Sequence, residues 1–93
     1  MNSIEEKLKT LDYLKMLVTK LQEAVRNAQE QSGACMEQLE SSGRWTDAQL
    51  SFFREKHFRA FLTFNQGAEK DCERIISFLE NKIHTLEAHK QAL

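Results

Sequence analysis

The chain has no proline, three glycines and two cysteines in 93 residues. Few glycines and no prolines leave few places to turn, which disfavours a fold of many short strands. Two cysteines, Cys35 and Cys72, are too few to staple a disulfide scaffold. Neither sign of charge dominates. Thirteen Lys+Arg oppose fourteen Asp+Glu, and the balance holds in each half. No basic field exists to neutralise phosphates or to hold an anionic membrane, so no nucleic-acid partner is expected. Apolar runs such as Met16-Leu17-Val18 are far short of the about 20 residues a membrane span needs. The start, Met1 to Lys7, has neither a basic segment nor an apolar one, so no cleavable signal peptide is expected.

What is present is helical spacing on both sides of one central break. Leu11, Leu14, Val18, Leu21, Val25, Ala28, Ser32, Cys35 and Leu39 alternate steps of three and four. That is the seam of a helix packed lengthwise on another. The spacing predicts a helix over about 3–41, a turn over about 42–46 and a second helix over about 47–90, all in one domain, 1–93. The second helix carries Leu50, Phe53, Phe61, Phe64, Ala68, Cys72, Ile75, Leu79, Ile83 and Leu86 on one stripe, with His57 among them. Gly67 is a candidate break, but the apolar phase continues across it, so one helix is preferred.

The turn is specified by short-range chemistry. Gly43 suits the left-handed position just past a helix end. Thr46 fits the N-cap of the second helix, with Gln49 completing a capping box. Trp45 before the cap and Leu50 at the fourth helical position form a hydrophobic staple. Asp47 meets the positive end of the helix dipole. With the bend centred at 43–44, facing residues have numbers totalling about 87. Cys35 and Cys72 are then about 30 Å apart along the hairpin, too far for a bridge.

One hairpin does not cover every apolar residue. Placed at 100° intervals, Phe58 and Leu62 fall away from the stripe, and Phe52 lies outside both groups. Tyr13 and Leu17 are also off the first helix's seam. These five residues are the expected dimer or partner surface. The fold expected is all-α: an antiparallel two-helix hairpin that dimerises into a four-helix bundle.

The chemistry of catalysis is thin. No nucleophile paired with a base and no Gly-rich phosphate loop occurs. Asp71 and Glu73 flank Cys72 and would raise its thiol pKa rather than activate it. His84 with Glu80 or Glu87 offers two helix-borne donors, short of a metal site. No enzyme activity, metal or cofactor is assigned.

The segment Ser42-Gly43-Arg44-Trp45-Thr46-Asp47, followed by Phe53, Phe58 and Phe61, resembles the WXG-like superfamily of small helical hairpins, the type VII secretion substrates and their relatives. The family's Trp-x-Gly turn maps onto Trp45-Thr46-Asp47, with Asp47 in the glycine's place, so the pattern is similar to a divergent Trp-x-Asp branch. The resemblance implies a homodimer or heterodimer of similar hairpins, protein binding without catalysis, and association with a secretion system. The family's export signal, a Tyr with an acid four positions on after the second helix, is absent: the one Tyr is Tyr13. The implied location is cytoplasmic, with export by a signal-peptide-independent route or on a partner. The alternative is a cytosolic adaptor or small chaperone that holds an amphipathic helix of another protein.

Overall fold

The computed structural model describes residues 3–92; Met1, Asn2 and Leu93, at the ends of the expected domain, lie outside them. Helix α1 runs Ser3–Ser41, α2 runs Asp47–Phe53 and α3 runs Arg59–Ala92. A π-helical segment, Arg54–Phe58, joins α2 to α3 so that the second arm is continuous. No strand occurs among the described residues. Helix α3 passes through Gly67 without interruption.

The turn follows its local chemistry. Gly43 has φ of 70°, the region that favours a residue without Cβ. Ser42 N donates to Gln38 O at 3.0 Å, and Arg44 N donates to Ser42 Oγ at 3.3 Å. Gln49 N donates to Thr46 Oγ1 at 3.2 Å, and Thr46 N donates to Gln49 Oε1 at 2.9 Å. The capping box therefore satisfies two backbone donors that a helix start leaves open. Leu50 is buried. The aromatic partner of Trp45 is Phe53, with centroids 5.6 Å apart and rings at 88°, one residue triplet beyond the Leu50 of the expected staple.

The two arms are antiparallel. Lys15 pairs with Glu80 at 3.4 Å, Arg26 with Glu69 at 2.6 Å, and Glu5 with Lys90 at 3.2 Å. Each pair totals 95 rather than the expected 87, and the Glu40–Arg54 pair fits the same register. The loop climbs past the end of α1 before the chain turns back. Residues 47–52 therefore overhang α1 instead of facing it. Cys35 and Cys72 are then about 18 Å apart along the axis by helix rise, closer than expected, and both are free.

The seam also differs from the expected one. On α1 it consists of Ile4, Leu8, Leu11, Lys15, Val18, Gln22, Val25, Gln29, Ser32, Met36 and Leu39, all buried or half-buried. On the second arm it consists of Phe58, at the end of the π segment, and of Leu62, Asn65, Glu69, Cys72, Ile76, Leu79, Ile83 and Leu86 on α3. Leu14, Leu21 and Cys35, placed by the spacing in the seam, are exposed; so are His57, Phe61, Phe64 and Ile75. The apolar arc of α1 is three columns wide. A single neighbouring helix covers only one edge of it, and the long stems of Lys15 and Gln29 close the other side of the seam.

The π segment sets which side of the second arm faces α1. Leu50 and Phe58 both turn inward yet stand eight apart, one residue more than two α-turns supply. The inserted residue rotates the rest of the arm by about 100°. Phe58 and Leu62 thereby move onto the seam, where they are half-buried, instead of the outer surface on which the uninterrupted spacing put them.

The result is a rod of 68 × 17 × 14 Å with a radius of gyration of 20.6 Å. A compact chain of this length has a radius near ~12 Å. Among the described residues, no large side chain is fully sealed from solvent.

Candidate protein-interaction face

The two broad faces of the hairpin have opposite character. On α1, Leu14 and Leu21 lie about 60° round from the Leu11–Val18 column, and Leu17 and Ala24 lie about 120° round in the same sense. On α3, Ile75 and Phe78 stand at the same offsets from Cys72. Antiparallel helices are exchanged by a half-turn about the normal to the hairpin, which keeps front as front. Equal offsets therefore bring both apolar flanks onto one face. Phe61 and Phe64 extend it toward the turn. Its rings and chains are open: Phe64 is 77% exposed, Phe78 58% and Leu21 56%.

The other face holds the interhelical ion pairs, because Lys15, Arg26, Glu69 and Glu80 lie on the opposite flank of the seam. Arg26 Nε donates to Glu69 Oε1 at 2.6 Å, and Gln29 Nε2 donates to Glu69 Oε2 at 3.4 Å. Chiefly through the Arg26 hydrogen bond, and against the effect of its own desolvation, the Glu69 carboxyl is held below the usual carboxylate range. The same hydrogen bond pushes the Arg26 guanidinium further toward its charged form.

Near the turn the apolar face deepens into two shallow grooves. One, about 340 Å³, is lined by Cys35, Met36, Leu39, Phe58 and Phe61, with Phe53 and His57 at its end. The other, about 450 Å³, lies between Trp45, Gln49 and Phe52 and shares Phe53 and His57. The His57 ring sits 5.7 Å from that of Phe53 and 6.2 Å from that of Phe52. The π segment makes this possible, since it presents Phe53 and His57 to both grooves while turning Leu50 inward.

Of the surface residues expected from sequence, Leu17 lies on this face and Phe52 lines a groove, 61% exposed. Tyr13 is exposed but stands toward the outer edge. Phe58 and Leu62 belong to the seam. Leu14, Leu21, Phe61, Phe64 and Ile75 belong to the face although their spacing suggested the seam, and Phe78 was not singled out. The signal that finds them is the polar column Lys15, Gln22 and Gln29: it marks which edge of a wide apolar arc the hairpin uses.

Among the described residues no group of three His, Cys, Asp or Glu is placed to hold a metal ion, and no helix is long and apolar enough to cross a membrane. His84 and Glu87 border a polar groove with Asp12, Lys15 and Glu80. No family model, curated protein or solved structure matches the chain.

Proposed function

We propose that this chain is a non-enzymatic helical hairpin that acts by binding protein through its one apolar face, pairing with a similar hairpin in a four-helix bundle. The observation that carries the reading is the sidedness: the interhelical ion pairs lie on one face, and exposed Leu and Phe, with Asp71 and Lys82 among them, lie on the other. Surface arithmetic supports it. The chain exposes 7195 Å², whereas a compact 10.9 kDa monomer exposes ~5,600 Å². The excess reflects the elongated two-arm shape, which leaves Leu14, Leu17, Leu21, Phe64, Ile75 and Phe78 exposed, and clustered exposed apolar side chains mark interaction sites.

An association with secretion is the biological setting we propose. Its support is the Trp45-Thr46-Asp47 turn, with Gly43 before it and Phe53 after it. The test uses a tagged chain in its native host, alongside the variant Phe64→Lys. Wild-type chain should appear in the culture supernatant, free of a cytosolic marker, and should recover a helical partner that Phe64→Lys does not. Retention in the cytosol removes the secretion setting; equal recovery by both forms removes the face.

A second reading is a cytosolic adaptor that lays an amphipathic helix along the grooves. The joined grooves around Phe53 and His57 favour it, since their apolar floor has the form such helices use.

A further inference from the structure

We infer that the joined grooves beside the turn form a small-ligand site for a soluble quaternary ammonium that carries one short apolar chain. The ammonium head sits among Trp45, Phe52, Phe53 and His57, and the chain runs along Met36 and Leu39. The inference goes beyond the protein-binding readings and does not rest on them. The first groove, about 450 Å³, is lined by those four rings with Ala48 and Gln49. The rings are not parallel. Trp45 meets Phe53 at 88° with centroids 5.6 Å apart, Phe52 meets His57 at 73° and 6.2 Å, and Phe53 meets His57 at 49° and 5.7 Å. A flat aromatic ligand needs parallel walls to stack between two rings, and these pairs offer none. Rings set at steep angles about one space suit a compact, rounded head that touches several of them at once.

Charge selects among rounded heads. Aromatic rings have electron-rich faces, and a cation with a weakly held hydration shell is drawn to them at least cost, which is how quaternary ammonium groups are recognised. No Lys or Arg lines either groove. Among the described residues the cation–ring contact is that of Lys82 with Phe78, on α3 and away from the turn. Arg54, between Phe53 and His57 in the chain, is held by Glu40. The grooves thus combine four rings with no cation from the chain itself. The second groove fixes what the head carries. It shares Phe53 and His57 with the first and continues, with a volume of about 340 Å³, past Cys35, Met36, Leu39 and Phe61. Such a lining takes a hydrocarbon chain and gives a polar one few partners.

Two native residues report on the two grooves: Trp45 is the one tryptophan, and Cys35 is the exposed cysteine. Titrations of the full chain, followed by Trp45 emission, compare choline with its neutral tert-butyl isostere and with its hexanoyl ester. Choline should bind at least ~10-fold tighter than the isostere, and the ester ~10-fold tighter than choline. The ester, unlike choline, should slow maleimide labelling of Cys35 by ~10-fold. Phe52 is 61% exposed, so it can be replaced without opening the seam. Phe52→Leu keeps an apolar wall without a ring and should make choline and its isostere equal; Phe52→Tyr should restore the preference. Phosphatidylcholine vesicles present the same head with its chains sunk in a bilayer and should leave Trp45 emission unchanged. The inference is overturned by failure of choline and its ester to bind, by equal affinity for choline and the isostere, by Cys35 left unprotected, by an unaltered preference in Phe52→Leu, or by a response to the vesicles.

Discussion

Arg26 on α1 and Glu69 on α3 stand 43 residues apart in the chain, yet Arg26 Nε lies 2.6 Å from Glu69 Oε1. The pair fixes the register of the hairpin near its middle. Because the hydrogen bond lowers the Glu69 pKa in the folded state, folding favours the ionised carboxylate. The stabilisation is complete above the unfolded glutamate pKa, about 4.3, and is lost as pH falls through the lowered folded value. Urea midpoints for wild type and Glu69→Gln should therefore differ at pH 7 and converge as the pH drops below about 4. A difference that persists unchanged at low pH would show that the ion pair is not its source.

The capping box predicts a local effect at the turn. Thr46→Ala removes the acceptor for Gln49 N and should cost about 1 kcal/mol. Thr46→Ser keeps the oxygen and should restore most of the loss. Thermal melts of the three proteins decide this; equal destabilisation by Ala and Ser would point to the methyl group instead.

The π segment predicts a length effect. Deleting Lys56 would let the arm run as a regular α-helix and rotate residues 47–53 by about 100° relative to α3. Leu50, now buried, would turn toward solvent, at a cost of about 1.5–3 kcal/mol. Deleting Lys56 should lower the melting temperature clearly, while Lys56→Ala should not. A deletion that melts like wild type would mean the extra residue is not needed for burial of Leu50.

Seam and face residues should separate by what they perturb. Phe58 is half-buried between the arms, so Phe58→Ala should destabilise the hairpin by roughly 2–4 kcal/mol even at high dilution. Phe78 is exposed, with Lys82 Nζ 5.5 Å from its ring centroid. Phe78→Ser should change dilute stability little, within about 0.5 kcal/mol. Guanidinium titrations at low protein concentration give both values, and a reversed order would exchange the two assignments.

How much of this was written in the chain alone varies with the distance over which a signal acts. Gly43, Thr46, Asp47 and Gln49 mark the turn because a left-handed residue, a cap and a capping box involve neighbours no more than three apart. Helix periodicity and the absence of proline likewise suffice for two long helical arms. The seam was another matter. Leu14, Leu21, Ala28 and Cys35 fit a three-four repeat as well as Lys15, Gln22, Gln29 and Met36 do, and by hydropathy they fit it better.

The tertiary structure decided among those columns. A repeat near 3.5 residues tells a helix to pack along its length, but adjacent columns lie only about 100° or less apart, and the choice depends on what the opposing arm presents at each level. Here α3 presents Glu69, to which Arg26 and Gln29 donate, and Asn65, whose side chain donates to Phe61 O, and the extra residue in Arg54–Phe58 rotates Phe58 and Leu62 inward. The leucines and phenylalanines left on the other flank are a consequence of that pairing across some forty residues, and no local pattern in either helix states it.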